Sequence, residues 1–319
     1  MRFKGSGARA LRLALCTAAI GLVVPAAAMA ARPAANTGGA TNVTFQSARL
    51  NGTVDPNREA TSYYFQYGTT IAYGIETAPT PAGGGNTGVR VGTDLGGLAP
   101  ATRYHYRIVA RNSSGTVLGQ HRTFTTRRQP LGVSLAATPN PIRANTGTAL
   151  AGTLTGTGNA GRRVVLQYTP WPYTQAFLPA ANEQVTNAQG GFSFALLSVP
   201  FNTQYRVQMP ERPQVVSPIV TVGVKFSVST RVSKKRVKRG RRVRFSGKVS
   251  PVRRGAQIAF QKRRDGRWVT IGGTVVRSNG RYSKLVKIRR GGTFRVWTGV
   301  ADGQYASNNG RWVRLRTFR

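Results

Sequence analysis

Along most of the chain, apolar and polar residues alternate one for one in short runs broken by Gly, Pro and Asn. In Thr102–Ala110 (TRYHYRIVA), Tyr104, Tyr106, Ile108 and Ala110 share one side and Arg103, His105 and Arg107 the other. Such alternation predicts a strand with one face buried and one in water. Val243–Val249 (VRFSGKV) repeats it, with Val243, Phe245 and Val249 against Arg244, Ser246 and Lys248. No long stretch spaces its apolar residues as a helix would. Many short strands between turn residues predict an all-β chain of sandwich modules.

The first 30 residues break this pattern. Arg2, Lys4, Arg9 and Arg12 precede the apolar run Leu13–Val24, and Ala28-Met29-Ala30 supplies the small-residue pattern of a cleavage site. Residues 1–30 therefore read as a signal peptide, since a membrane span needs about 20 apolar residues. Leu15 stands where a lipoprotein signal before Cys16 needs a small residue, which excludes that anchor. The mature chain is expected to begin at Ala31, to carry no transmembrane segment, and to be secreted, extracellular or at the cell surface. Cys16 is the only cysteine, so a chain cleaved after Ala30 has neither disulfides nor thiolate metal sites. That composition fits an exported bacterial protein better than a disulfide-stapled scaffold.

Three modules follow. Residues 36–126 contain Leu98-Ala-Pro-Ala-Thr-Arg-Tyr104, Leu50-Asn-Gly-Thr-Val-Asp-Pro-Asn57, Tyr63-Tyr-Phe-Gln-Tyr-Gly68 and a closing Phe124-Thr-Thr126. This combination resembles the fibronectin type III modules of exported bacterial proteins. The resemblance implies a sandwich in which Tyr104 is a structural corner, its hydroxyl bonded back to upstream backbone. No Trp occupies the early-strand position that family often uses, and no Arg-Gly-Asp occurs, so integrin-type adhesion does not carry over.

Residues 131–222 and 223–319 resemble each other. Gly152, Gly161, Gln167, Gly190-x-Phe192 and Tyr205-Arg-Val207 match Gly247, Gly255, Gln261, Gly280-x-Tyr282 and Phe294-Arg-Val296. Both resemble the Ig-like sandwich modules common in exported bacterial proteins, with glycines at turns and aromatics in the core. Tandem domains account for a repeat of this length better than solenoid units do, and residues 223–319 are expected to fold alone.

Charge separates the modules. The chain has 47 basic and 8 acidic residues, and residues 223–319 hold 28 of the former and 2 of the latter, whereas residues 131–222 hold 5 and 2. The basicity therefore belongs to the last module. It is densest at Lys234, Lys235, Arg236, Lys238, Arg239, Arg241 and Arg242, with a second cluster at Lys262, Arg263, Arg264 and Arg267 on an expected hairpin tip. These are the candidate contacts for a polyanion: an anionic envelope polymer or polysaccharide, or nucleic acid held without sequence specificity. Trp268, Trp297 and Trp312 could add stacking for bases or sugars. Trp297, one place off the inward Phe294/Val296 alternation, is the candidate stacking residue, while Trp268 and Trp312 read rather as core or rim. The bland alternative is an arginine-rich outer face without a ligand, the modules serving as spacers.

Chemistry is sparse. His105 and His121 lack a third metal ligand in sequence, and the eight acids are scattered over three modules without a catalytic arrangement. Gly156-Thr-Gly-Asn-Ala-Gly161 is a literal G-x-G-x-x-G, but it leads into the strand pattern RRVVLQY rather than a helix, so it reads as a hairpin loop. The expectation is a non-enzymatic monomer without cofactor or metal.

Overall fold

A computed structural model describes residues 31–319, with the backbone alone at 181 and 182; the expected signal peptide lies outside the described residues. Every regular element in that range is a β-strand. The alternation is realised side chain by side chain. In the strand Arg103–Asn112, Tyr104, Tyr106, Ile108 and Ala110 are buried while His105 and Arg107 are half-buried and Arg103 and Arg111 exposed.

The chain divides into two compact units, one of residues up to Leu98 with Thr102–Thr126, the other of Ala99–Ala101 with Arg127–Arg319. In the first unit, a sheet of Ala34–Thr37, Ala48–Asp55 and Val89–Leu95 faces one built on Thr61–Gly68 and Arg103–Asn112. Leu50 and Val54 meet Phe65, Tyr106 and Ile108 between them, all fully buried. Each such side chain contributes roughly 1.5–3 kcal/mol on leaving water.

The second unit holds two further cores. One gathers Leu150, Leu154, Leu166 and Val207; the other gathers Phe245, Val249, Phe260, Phe294 and Val296. The sheets around the last core are Ser227–Val228, Arg231–Val232, Arg242–Ser250 and Arg281–Lys287 on one side. On the other are Arg236–Lys238, Val313–Phe318, Gly292–Gly299, Gln257–Arg264 and Arg267–Val275, with Asn308–Asn309 paired to Gly292–Gly299. Residues 222–226 join these two cores, alternate residues buried and Gly223 and Lys225 half-buried. Val222 and Val224 insert into one core, Phe226 into the other, and all three are inaccessible to solvent. Tyr305 packs against both cores, its ring 4.9 Å from that of Phe226.

One framework underlies all three sandwiches. Gly52, Gly152 and Gly247 occupy the same place on a central strand, each flanked two residues away by buried Leu50/Val54, Leu150/Leu154 or Phe245/Val249. None has room for a Cβ: it would meet Ile108 Cδ1 at 2.7 Å in the first sandwich, and overlap the Ser134 and Ser229 carbonyl oxygens in the other two. On the opposite sheet a Gln faces an Arg directly across the strands: Gln66 and Arg107, Gln167 and Arg206, Gln261 and Arg295. In each pair the guanidinium Nε donates to the Gln Oε1 at 2.8 Å. Each guanidinium also lies over an aromatic ring, Tyr73 at 4.7 Å, Phe177 at 4.3 Å and Trp268 at 4.3 Å. The internal repeat read between the second and third modules therefore extends to the first.

The glycine-rich segment at 156–161 forms no helix, and its glycines at 156, 158 and 161 all have positive φ. It is not a hairpin loop, however: Thr146–Thr155 and Arg163–Pro170 belong to different sheets, so the segment crosses between layers. The Lys262–Arg267 tip is a hairpin, Arg264 pairing with Arg267 around Asp265 and Gly266. Both turn residues have positive φ, as a type I′ hairpin loop requires.

Candidate polyanion-binding surface

The seven basic residues of Ser233–Arg242 are all exposed, and one apolar side chain holds the segment down. Val237 is buried between Arg236 and Lys238 in a short strand that runs parallel to Val313–Phe318. The Arg316 N–H donates to the Lys235 carbonyl at 2.8 Å, and the Arg239 N–H to the Phe318 carbonyl at 2.9 Å. Gly240 then turns the chain with positive φ into Arg242–Ser250, whose Val243 and Phe245 enter the core.

The second cluster is less uniform. Arg263, Arg264 and Arg267 are exposed at the hairpin tip. Lys262 is half-buried: its ammonium donates to the Arg290 carbonyl at 2.9 Å and lies 5.6 Å from the Phe294 ring centre. Burial, with the nearby Arg264 and Arg290 charges, lowers its pKa. Lys284 is likewise occupied, donating to the Gly273 carbonyl. Each of these two lysines is tied to a backbone carbonyl, while Arg263, Arg264 and Arg267 stay exposed.

Two concavities mark this module. One of about 1090 Å³ is lined by Arg239, Arg263, Lys287 and Arg290 among others. The other, of about 750 Å³, lies where Thr230–Arg236 passes from one sheet to the other. Its walls carry Arg231, Lys235, Arg236, Arg311, Arg314 and Arg316 around Trp312, above Val232 and Val313. Sequence reasoning found only Lys235 and Arg236 of these. The others stand singly; the alternation of Trp312, Arg314 and Arg316 about buried Leu315 was the available signal.

Few carboxylates offset the charge. The described residues include three salt bridges, Arg49–Asp94, Arg163–Glu183 and Arg253–Asp302, all at 2.7 Å. Asp302 is one of two acids in residues 223–319; the other, Asp265, is exposed at the hairpin tip. The backbone N–H of Gln304, then the Arg253 guanidinium, hold the Asp302 carboxyl below its ordinary pKa.

The aromatic candidates fall differently from expectation. Trp297 is half-buried, its ring close over Gly299, while Trp312 is 64% exposed. Trp268 is half-buried between them in character: Arg295 covers it at 4.3 Å, and the Trp312 ring tilts against it at 5.9 Å. Tyr104 is buried and stacks on Phe124 at 5.5 Å.

The histidines, separate in sequence, meet in space. His105 Nδ1 and His121 Nε2 are 3.3 Å apart, and the Tyr73 hydroxyl is 3.0 Å from His121 Nδ1. Among the described residues no group of three or more His, Cys, Asp or Glu gathers around one point. Asp55 accepts the Asn57 N–H at 3.0 Å, a local bond that orders a turn, and Glu59 accepts the Ser114 hydroxyl at 2.7 Å, tying together two loops distant in sequence. No helix among the described residues is long and apolar enough to cross a membrane.

No known family profile matches the chain, and neither does any curated protein. Solved structures with similarity include the FN1–FN3 domains of chicken CNTN1, at 14% identity and TM-score 0.30 over 91% of this chain and 100% of that one. Domains A168–A170 of titin align at 14% identity and TM-score 0.37 over 89% of this chain and 99% of theirs. A tetra-tandem repeat from the extending region of a large adhesion protein aligns at 17% and 0.30, over 89% and 74%. The all-β sandwich fold stands on the strand order and cores above.

Proposed function

We propose that the chain is an exported, non-catalytic modular protein at or outside the cell surface, whose third module docks on an anionic envelope polymer. The reading keeps a signal peptide at 1–30, a fibronectin type III-like module at 36–126, and Ig-like modules at 131–222 and 223–319. The observation that carries it is the charge on the last sandwich. With 28 basic and 2 acidic residues, most of its cations have no carboxylate to pair with. Lys234 through Arg242 present seven of them to solvent from one short stretch. A lineage habit of arginine-rich surfaces does not account for this, because the neighbouring sandwich on the same framework carries only 5 basic residues against 2 acidic. The first two modules act as spacers. The same charge retains nucleic acid in the test tube without sequence specificity, as any such surface does.

The test is retention of the full chain on immobilised envelope polymers as salt is raised. Binding through charge releases counterions, with a log–log slope near −0.9 per phosphate contacted on duplex DNA, so retention falls by orders of magnitude over a modest salt range. Replacing the seven basic residues of Lys234–Arg242 with Gln is expected to flatten that slope and leave the circular dichroism spectrum unchanged. Retention that ignores salt and survives the seven substitutions overturns the proposal. No retention at low salt favours the spacer reading.

A further inference from the structure

We infer that the 750 Å³ trough around Trp312 is a binding site for an acidic oligosaccharide, a chain of sugar rings bearing carboxylates. This rests on the polyanion reading above and specifies which anion, and where. A concavity of this size fits a few sugar units, within the roughly 300–1,000 Å³ usual for ligand pockets.

Its chemistry has two parts. Five of its six cationic lining residues are arginines, with Lys235 the sixth. The guanidinium is planar, always charged and weakly hydrated, and it meets a carboxylate through two parallel hydrogen bonds, which lysine cannot do. Four of these cations come from a rigid edge: Lys235 and Arg236 are held against Arg314 and Arg316 by parallel pairing, Arg236 standing opposite Arg316 in register. The second part is Trp312, the exposed tryptophan of the trough, which offers an apolar face to the C–H side of a sugar ring.

This combination discriminates among polyanions. A polyol phosphate has no ring to lay on an indole and would be served by the cations alone. Single-stranded nucleic acid stacks successive bases on successive aromatic platforms. Here only Trp312 has an open face, because neighbouring Trp268 is half-buried under the Arg295 guanidinium. One platform ringed by arginines suits a sugar acid. The sequence marks Lys235, Arg236 and Trp312 separately but not their meeting, since the site's residues come from segments some 80 positions apart.

The experiment titrates the full chain with three probes of matched charge: an oligogalacturonate, inorganic polyphosphate and a single-stranded oligonucleotide. Trp312→Ala is expected to weaken oligogalacturonate about tenfold while leaving polyphosphate within about twofold, the scale of a lost aromatic stack. Trp312→Phe should restore most of the loss, and Arg314→Gln with Arg316→Gln should weaken both. Unchanged melting of each variant excludes misfolding. If Trp312→Ala spares oligogalacturonate, the trough is not a sugar-acid site. A loss confined to the oligonucleotide overturns the inference in favour of nucleic acid. If wild type binds none of the three at low salt, the broader polyanion reading fails as well.

Discussion

At the scale of single residues, the last sandwich depends on one glycine and the tyrosine beside it. Gly247 lies opposite Tyr282 across the strands, and a Cβ there would overlap the Ser229 carbonyl oxygen, which is backbone and cannot swing aside. That oxygen accepts the Tyr282 hydroxyl at 2.7 Å. Gly247→Ala is expected to cost about 1–3 kcal/mol, as overfilling a packed core does, and to lower the melting midpoint by several degrees. Gly272→Ala is the control: nothing lies within 4 Å of its Cβ position and its φ is ordinary, so it should melt like wild type. Equal midpoints for the two variants would refute the steric argument. The tyrosine makes a second prediction, in alkali. Burial pushes the Tyr282 phenol up to about 12. A folded value above the unfolded one, about 10, means the folded chain keeps its proton longer. The stability this confers is complete below about pH 10 and is lost as the pH climbs toward 12. Tyr282→Phe should be weaker at neutral pH by about 0.5–1.5 kcal/mol for the missing hydrogen bond. Its deficit should shrink between about pH 10 and 12, where only wild type must ionise this phenol. Lysine titration is common to both proteins and cancels in the difference. A deficit that stays constant over that range in thermal melts would contradict the assignment.

At the scale of elements, what could be read from the sequence was what alternation carries. The inward sets Tyr104/Tyr106/Ile108 and Val243/Phe245/Val249 are buried as the period-2 pattern requires. The third copy of the repeat was hidden because its marks are cross-strand. Gln66 and Arg107 are 41 positions apart, and the corresponding pairs are 39 and 34 apart, so loops of different length scramble the spacing. The residue opposite Gly52 is Val91, where the other two copies have Phe192 and Tyr282, which removes the aromatic cue. The candidate surface divides in the same way. Lys234–Arg242 was legible because it is contiguous, whereas the segment of Arg231 meets that of Arg311, Arg314 and Arg316 only through a parallel pairing of strands distant in sequence. Trp297 does point away from the core, as its offset from Phe294 and Val296 suggested, but outward is not open. It sits over Gly299 between Ala259 and Asn309 on the flanking strands. Trp312 lies one residue before Val313–Phe318 begins and is exposed in step with Arg314 and Arg316, an alternation that a reading of it as core or rim passed over.

At the scale of the molecule, the boundary drawn from composition between residues 222 and 223 falls inside a hydrogen-bonded segment whose apolar side chains are buried. Gly223 donates to Asn140 Oδ1 at 2.9 Å, and Asn140 Nδ2 donates to the Thr221 carbonyl at 2.9 Å. Asn202 ties both sides together: its Oδ1 accepts the Val224 N–H at 2.6 Å, its Nδ2 donates to the Gly303 carbonyl at 2.7 Å, and its own N–H to the Gln304 carbonyl at 3.0 Å. Trp171 Nε1 donates to the Asp302 carbonyl at 2.8 Å, and the Asp302 carboxylate grips Arg253. With Val222, Val224 and Phe226 fully buried and Tyr305 shared by the two cores, there is no solvated linker in which one sandwich can open without exposing the other. Residues 131–319 should therefore unfold as one cooperative transition in calorimetry, although they contain two cores. Asn202→Ala removes the two side-chain bonds that bracket the joint, and leaves the Val224 N–H without its partner at a buried position. The variant should lose about 1–3 kcal/mol, and amide exchange should quicken in both Thr203–Met209 and Gly292–Gly299, which lie on opposite sides of the joint. Faster exchange in only one of these strands, or two separate transitions already present in wild type, would show that the sandwiches are energetically independent despite their shared chain.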